Sequence, residues 1–270
     1  MNKNKIDNNT KSNMKKFVIF LTLIMISLVP LGVRDGEFAN AQEEKKGKLA
    51  IVIDDFGEDR RGVEEMLNID APLTIAVLPA GEFTVQDAEN AHQKGHEVIL
   101  HMPMENSTPM PESYYGSLVI RNNFSTEDAV DALKEGMEKV PHCVGVNIHM
   151  GTGVSKNEKL ITAIMEETKK QDKYFLDSKT VVGSVCDNCA KETGVKYFSR
   201  DVFLEPSGTP SEEIATKYLL EAGELAIKNG RAVAIGHVGP VGTEKTAKSI
   251  KKCLQTLEIM GVELVPLSKL

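Results

Sequence analysis

The stretch Leu49-Ala50-Ile51-Val52-Ile53-Asp54-Asp55-Phe56-Gly57 ends an apolar run with two adjacent carboxylates. A run that is apolar throughout indicates a strand buried on both faces, as in a parallel sheet covered by helices. In such sheets, functional groups gather outside the carboxyl ends of the strands. Asp54 and Asp55 are therefore predicted at the functional edge of the sheet, although Asp next to Gly is also typical of a turn that caps a helix.

Further short apolar runs follow along the chain, and segments of helical period separate them. This alternation is typical of βα units and predicts a parallel sheet. The predicted strands are 48–54, 73–78, 97–102, 144–149, 174–177, 196–203, 232–236 and 262–266. Seven or eight such strands favour an α/β fold, an irregular (β/α) barrel slightly smaller than the usual form of ~250 residues. An open doubly wound sheet is the alternative.

Several helix ends carry recognisable signals. Ser125 followed by Asp128 predicts a capped helix start, and Ser155 followed by Glu158 predicts a second one. Gly230 predicts the left-handed residue that ends a later helix.

The first 41 residues have the layout of a secretory signal peptide. Five lysines precede an apolar stretch from Phe17 to Val33, and the small-x-small sequence 39–41 predicts cleavage before residue 42. An uncleaved membrane anchor is the alternative. Residues 42–47 are predicted to form a charged tether, and residues 48–270 a single domain without a stable membrane span after cleavage. We therefore expect a secreted or extracytoplasmic protein, and association with the membrane or the cell wall is compatible with this expectation.

The charge of the chain limits its partners. With 32 basic and 39 acidic residues, the formal net charge is −7. A basic surface is the electrostatic requirement for nucleic-acid binding, so nucleic acid is not expected as a partner. A neutral or locally charged polysaccharide remains compatible with this composition.

Cys186 and Cys189 form the only close pair among four cysteines. In an exported chain, a local disulfide is the first expectation, with free thiols and a redox dithiol as the alternatives. A zinc knuckle would need a second pair, whereas Cys143 and Cys253 are isolated from each other.

Polar residues recur where predicted strands end. They are Asp54, Asp55, His101, Glu105, His149, Asp177, Asp201 and His237. Taken singly, His149 and His237 could be buried histidines with backbone partners. A barrel, however, brings all strand carboxyl ends to one pocket. Carboxylate and imidazole together bind divalent cations, and zinc accepts this mixture readily.

Seven motifs in order give the chain a family resemblance. They are VIDDFG at 52–57, LP at 78–79, GHEVILHMPME at 95–105, GVNIHMGTG at 145–153, FLDSKT at 175–180, RDVFLE at 200–205 and AIGHVGP at 234–240. With these motifs, which span nearly the whole mature chain, the protein resembles the divergent branch of the polysaccharide deacetylase family. The resemblance implies an irregular (β/α) barrel and an exported or envelope location.

The resemblance also implies a divided role for the two carboxylates. Asp54 matches a general base and Asp55 a metal ligand, while His101 matches the first of two metal-binding histidines. The second histidine position is Glu105 here. His149 is the candidate that replaces it, and whether Glu105 or His149 completes the site stays open at this point.

Two further motifs of the related enzymes are absent from this sequence, whereas a late histidine is present. Their Arg-Pro-Tyr segment is absent from 147–153, and the chain contains no Trp. His237 matches a late histidine that would protonate the leaving amine. Asp177 or Asp201 would orient His237 or a metal-bound histidine, and Asp201 is also an alternative metal ligand. Substrate-binding residues are not assigned.

The implied function is a metal-dependent hydrolase, with zinc as the expected metal. It would remove acetyl groups from a cell-envelope polysaccharide or a related glycan. A catalytically impaired glycan-binding or envelope-assembly protein on the same fold is the main alternative. A thiol oxidoreductase built on Cys186 and Cys189 is a weaker one.

Overall fold

The computed structural model describes residues 47–270. The predicted signal peptide, and all of the predicted tether except Gly47, lie outside the described residues. The strands are β1 Gly47–Phe56, β2 Thr74–Val77, β3 Glu97–Met104, β4 Cys143–Met150, β5 Tyr174–Asp177, β6 Tyr197–Ser199, β7 Val202–Phe203, β8 Arg231–His237 and β9 Val262–Leu264. The helices are α1 Val63–Leu67, α2 Thr84–Gln93, α3 Thr126–Lys139, α4 Glu158–Lys170, α5 Cys186–Thr193, α6 Glu212–Asn229 and α7 Gly239–Ile259.

The strands form one parallel sheet in the order β6-β5-β4-β3-β2-β1-β8-β7, and β9 pairs with the start of β1. β6 and β7 stand at opposite ends of this order, yet only Arg200 and Asp201 separate them in sequence. The sheet must therefore curl until its two edges almost meet. This confirms the predicted (β/α) barrel and excludes the open doubly wound sheet.

The predicted single strand 196–203 is wrong, because the chain crosses the gap between the two sheet edges there. The Arg200 backbone N–H donates to Asp177 O on β5, and the Asp201 N–H donates to Val233 O on β8. Arg200 thus continues the pairing with β5 at one edge of the sheet, and Asp201 begins the pairing with β8 at the other. The segment becomes two short strands joined by the crossing.

Side chains of β1 pack on both faces of the sheet, as its uniform hydrophobicity predicts. Leu49, Ile51 and Ile53 belong to the large cluster that also contains the buried faces of the helices. Ala50 and Val52 belong to a second cluster made almost wholly of strand residues, which fills the inside of the barrel. All five are fully buried. Burial of a Leu, Ile or Val side chain contributes about 2 kcal/mol, so β1 adds several such contributions to the core.

Two of the three predicted helix ends are confirmed, and the third is wrong. Ser125 forms the predicted capping box with Asp128, and Gly230 ends α6 with a φ of 83°. Ser155 does not cap α4. It lies in a 3-10 turn over Val154–Lys156, so the cap passes to Asn157, whose side chain accepts a hydrogen bond from the Leu160 N–H in the first turn of the helix. Among the described residues, none of the helices is both long and apolar enough to cross a membrane.

The loop after β1 is held by a buried carboxylate on α2. Asp87 is fully buried, accepts a hydrogen bond of 3.0 Å from the Gly57 N–H, and binds Arg60 at 2.6 and 2.7 Å. This contact fixes the chain immediately after Asp55.

Asp87→Ala should therefore destabilise the protein by about 3 kcal/mol, because it leaves a buried N–H and a guanidinium without their acceptor. Urea unfolding of residues 42–270 measures the change. Gln86→Ala, on the exposed side of the same helix, is the matched control and should change stability by less than about 0.5 kcal/mol. Equal stability of the two variants would contradict the assigned role of Asp87.

Candidate metal centre

Three side chains converge at the carboxyl ends of β1, β3 and β4. Asp55 Oδ1 lies 3.3 Å from His101 Nε2 and 3.2 Å from His149 Nδ1, and the two imidazole nitrogens are 3.1 Å apart. His101 is almost completely buried, and the other two are mostly covered. The structure thus brings together Asp55, His101 and His149 as one group able to hold a metal ion.

A backbone irregularity places both adjacent carboxylates at the same cavity. In a regular strand, Asp54 and Asp55 would point to opposite faces of the sheet. Asp55 instead adopts a left-handed conformation with φ of 71°, and the register between β1 and β2 shifts between Ile53 and Phe56. Asp is one of the few residue types that tolerate this conformation. Both carboxylates consequently line one cavity.

Asn147 determines which nitrogen of His101 carries the proton. The Asn147 Nδ2 group donates to Asp54 Oδ1 at 2.8 Å, and its Oδ1 lies 2.7 Å from His101 Nδ1. A carboxylate only accepts, so the amide NH₂ must face Asp54 and the amide oxygen must face the imidazole. His101 Nδ1 is therefore the protonated nitrogen, and the lone pair of Nε2 points at Asp55 and His149.

The same reasoning applies to His149. Its Nε2 lies 3.1 Å from the backbone oxygen of Tyr114, which can only accept. His149 Nε2 therefore donates, and the lone pair of Nδ1 points toward Asp55. Metal-binding histidines are usually oriented in this way, by a hydrogen bond from the ring nitrogen that does not bind the metal.

The converging atoms fit a small divalent cation. Asp55 Oδ1 is buried and, among the described residues, receives no hydrogen bond of good geometry. Three electron-rich atoms 3.1–3.3 Å apart repel one another unless a positive charge lies between them. Tetrahedral zinc with bonds of 2.0–2.1 Å separates its ligand atoms by about 3.3 Å, which matches this triangle.

The pKa values of Asp55 and His101 also indicate that the group attracts positive charge. Burial raises the pKa of Asp55, but the adjacent imidazoles of His101 and His149 and the charge of His237 lower it to well below its usual range. Burial lowers the pKa of His101, and the charges of Asp54 and Asp55 raise it by more. The same negative charge that raises the pKa of His101 would attract a cation to this group.

Glu105 lies away from this group. Its carboxylate accepts a hydrogen bond of 2.8 Å from the Asn122 N–H and lies 3.6 Å from Arg121. Glu105 thus ties down the loop after β3, and it is His149 that stands beside Asp55 and His101.

His237 pairs with a carboxylate that the sequence interpretation missed. Its Nδ1 lies 3.0 Å from Glu205 Oε2, and its backbone N–H donates to Glu205 Oε1 at 3.3 Å. Burial lowers the pKa of His237, but Glu205 together with the charges of Asp55 and Asp54 raises it to about 9. His237 is therefore a cation at neutral pH, with Nε2 left available at the cavity it lines.

The expected roles of Asp177 and Asp201 are wrong, because both carboxylates serve the backbone or nearby hydroxyls. Asp177 accepts from the Lys179 N–H, Ser184 Oγ and Tyr197 Oη at 2.8–3.3 Å. Asp201 accepts from the Val233 N–H at 2.8 Å. Neither belongs to the metal-binding group, and neither orients His237.

The cysteines take no part in the site. All four are free and buried, so the expected disulfide between Cys186 and Cys189 is not formed. Burial and the charge of Asp177 raise the pKa of Cys186 to about 12. A thiolate is the reactive form, so this position is unsuited to dithiol chemistry at neutral pH.

The metal-binding group lies in a cavity of about 640 Å³, within the size range of small-ligand sites. The residues around it are Asp54, Asp55, Glu58, Asp59, Leu78, His101, Ser113, Tyr114, Ile148, His149, Met150, Ser178, Lys179, Thr180, Arg200, Phe203, Ile235, His237, Pro240 and Val241. The cavity therefore combines a candidate metal centre, a cationic imidazole and basic, acidic and aromatic walls.

A family model described as divergent polysaccharide deacetylase matches residues 51–270. The chain belongs to this family. A protein of Escherichia coli K12, YibQ, is 34% identical over 194 residues, which cover 72% of this chain and 59% of that protein. The matched region thus spans less than two thirds of the relative.

Solved structures show the same fold as this chain. An uncharacterized protein from Agrobacterium tumefaciens C58 superposes with a TM-score of 0.76 at 21% identity, covering 83% of this chain and 89% of that one. The Bc1960 peptidoglycan N-acetylglucosamine deacetylase superposes with a TM-score of 0.50 at 12% identity, covering 84% and 88%. At these identities the likeness establishes the barrel and nothing about the chemistry.

Asn147→Leu should weaken zinc binding by about 10–100-fold, the usual effect of removing the partner of a metal-binding histidine. Without the amide oxygen, the proton of His101 is free to move to Nε2 and block the site. Competition with a fluorescent chelator measures the affinity. Ser178→Ala is the control, because it removes the weaker 3.4 Å contact of Asn147 and leaves His101 untouched. Unchanged zinc affinity in Asn147→Leu would contradict the role of Asn147.

Glu205→Gln should lower the pKa of His237 from about 9 toward the ordinary value of about 6.5. Because the pKa is raised in the folded protein, protonated His237 stabilises the fold fully below pH ~6.5 and loses this effect as pH rises through about 9. Imidazole NMR titration of the metal-free protein measures the pKa directly. Glu58→Gln, at the same cavity, should leave it nearly unchanged. An identical titration of His237 in Glu205→Gln would show that another group sets its charge.

Proposed function

We propose that the chain is a metal-dependent hydrolase that removes acetyl groups from a cell-envelope polysaccharide. The observation that carries this proposal is the position of Asp54, which shares Asn147 with His101 and stands next to the converging ligand atoms. Its Oδ2 lies 3.8 Å from His101 Nε2. Family membership supports a carbohydrate substrate.

Asp55, His101 and His149 would hold the cation, and two nitrogen donors with one carboxylate oxygen favour zinc. When bound, the cation would polarise the acyl carbonyl and lower the pKa of a water molecule. Three protein ligands would leave one coordination position for the water molecule or the acyl oxygen. This assignment makes Glu105 a structural residue.

Asp54 is the proposed general base. It is almost fully buried, and Asn147 Nδ2 holds Oδ1, which leaves Oδ2 to accept a proton from the attacking water. Attack forms a tetrahedral oxyanion on the acetyl carbon. The bond from carbon to the sugar nitrogen or oxygen then breaks, and acetate leaves.

His237 is the proposed general acid. Its pKa of about 9 keeps it protonated at neutral pH, although a bound cation would lower that value by balancing Asp55 and Asp54. Donation of the Nε2 proton to the departing amine or hydroxyl completes the hydrolysis. Glu205 orients the ring through Nδ1, and Thr246 in turn donates to Glu205.

We also propose an extracytoplasmic location, supported by the lysine-rich and apolar leader in residues 1–41. Acetylated envelope glycans are available to an exported hydrolase. A barrel that binds glycan without hydrolysis is the alternative that the following measurement separates.

Asp54→Asn should reduce acetate release by about 10²–10⁴-fold, the usual contribution of a general base. Zinc affinity should stay nearly unchanged, because the substituted amide oxygen can still accept the hydrogen bond from Asn147 Nδ2. Acetate release from N-acetylated and O-acetylated glycan oligomers, with and without added zinc, measures the activity. Asp59→Asn is the matched control, because Asp59 lines the same cavity but is paired with Arg61. The proposal fails if the wild-type protein releases no acetate in a metal-dependent way, and glycan binding without release would favour the non-catalytic alternative.

A further inference from the structure

The cavity carries a basic wall that the proposed hydrolysis does not use. Arg200 and Lys179 both line it. Among the described residues, neither forms a salt bridge with a carboxylate. Burial lowers the pKa of Arg200, and the nearby charges of Asp177, Asp54 and Asp201 raise it by less. Each of those carboxylates is hydrogen-bonded elsewhere, as described above.

The guanidinium of Arg200 is fixed in place by neutral partners. Its Nε donates to Ser178 O at 2.7 Å, and one Nη donates to Lys179 O at 2.9 Å. A guanidinium has five N–H donors, so these two bonds leave three. Arg200 is half-buried and also lies 4.9 Å over the ring of Phe203. The side chain is thus held rigidly while most of its donors remain free.

Lys179 adds a second cation on the same wall. Its backbone has a left-handed φ of 48°, which is uncommon for Lys, and its N–H donates to Asp177. The side chain is exposed at the cavity mouth. A bound divalent cation would balance Asp54 and Asp55. Asp177 and Asp201 remain nearby, but their hydrogen bonds go to backbone N–H groups and hydroxyls, so neither pairs directly with the side-chain cation of Arg200 or Lys179.

The basic wall is close to the proposed proton donor. The Phe203 ring that lies under Arg200 also makes an edge contact with the His237 ring, at 5.0 Å between centroids. These two contacts in series place the guanidinium within the length of a disaccharide of His237. A group bound by Arg200 would therefore lie on the reacting sugar or on its neighbour.

We propose that Arg200, assisted by Lys179, binds an anionic group of the glycan next to the acetylated sugar, so that the site selects acidic glycans. The inference rests on the proposed function for the position of the acetyl group. Carboxylate and phosphate oxygens share the chemistry that a guanidinium recognises. A neutral oligosaccharide would leave this wall without a partner.

The test is equilibrium binding to the zinc-loaded Asp54→Asn protein, measured by calorimetry. The carboxylate probe is a tetrasaccharide of alternating N-acetylglucosamine and N-acetylmuramic acid, and its neutral match is the same compound with methyl-amidated carboxyl groups. The phosphate probe is the 6-phosphate of N-acetylglucosamine tetramer, compared with the unmodified tetramer. We expect at least one charged probe to bind about tenfold or more tightly than its neutral match.

Adding Arg200→Gln should remove that preference, adding Arg200→Lys should restore part of it, and adding Lys179→Gln should reduce it by less. Lys196→Gln is the control, because Lys196 binds Ser268 O away from the cavity. Thermal unfolding of each variant monitors folding. Equal binding of charged and neutral probes would overturn the inference, as would a loss in Arg200→Gln that is the same for both.

Acetate release by the wild-type protein, measured with the same four probes, separates the two proposals. Charge-selective binding without acetate release would remove the proposed function and leave the role of Arg200. Acetate release at equal kcat/KM from charged and neutral probes would remove the role of Arg200 alone. If Arg200 instead assisted Asp54 electrostatically, Arg200→Gln would lower kcat equally for all probes, which also overturns the inference.

Discussion

The hydrogen-bonding limits of a carboxylate determine the arrangement of this site. Asp54 can only accept, so Asn147 must present its NH₂ group to Asp54 and its oxygen to His101. His101 in turn must direct a lone pair toward Asp55. One buried amide therefore connects the proposed base to the proposed metal ligands, and the geometry of each depends on the other. Asn147 lies on β4, an interior strand of the sheet, and its side chain is buried. The surrounding core therefore holds this chain of hydrogen bonds rigidly.

The sequence located the parts of the site that depend on strand ends. Asp55, His101 and His149 each follow an apolar run, and a parallel barrel brings such positions together whatever the details of its loops. Asn147 was missed, although it lies two residues before His149 and so points to the same side of β4. The period of two along β4 is therefore the sequence signal that places Asn147 beside His149.

The partner of His237 could not be found in the same way. Asp177, Asp201 and Glu205 all lie near predicted strand ends, and the choice among them depends on where the chain crosses the barrel gap. The crossing at Arg200 and Asp201 turns a predicted single strand into two, which commits Asp201 to β8. Glu205 then follows the new strand and reaches His237. A break of this kind is set by long-range pairing, which local hydrophobicity does not encode.

The hydrogen bond from His149 to Tyr114 would couple binding of a cation to binding of a ligand at the cavity rim. Tyr114 belongs to the rim of the cavity, so a ligand that displaces this segment also removes the acceptor that orients a candidate metal ligand. By thermodynamic linkage, any change that the proposed glycan causes in the affinity for the cation equals the change that the cation causes in the affinity for the glycan. The rim is thus a shared component of two equilibria, and the supply of metal to the protein would adjust its capacity to hold carbohydrate as well as its chemistry.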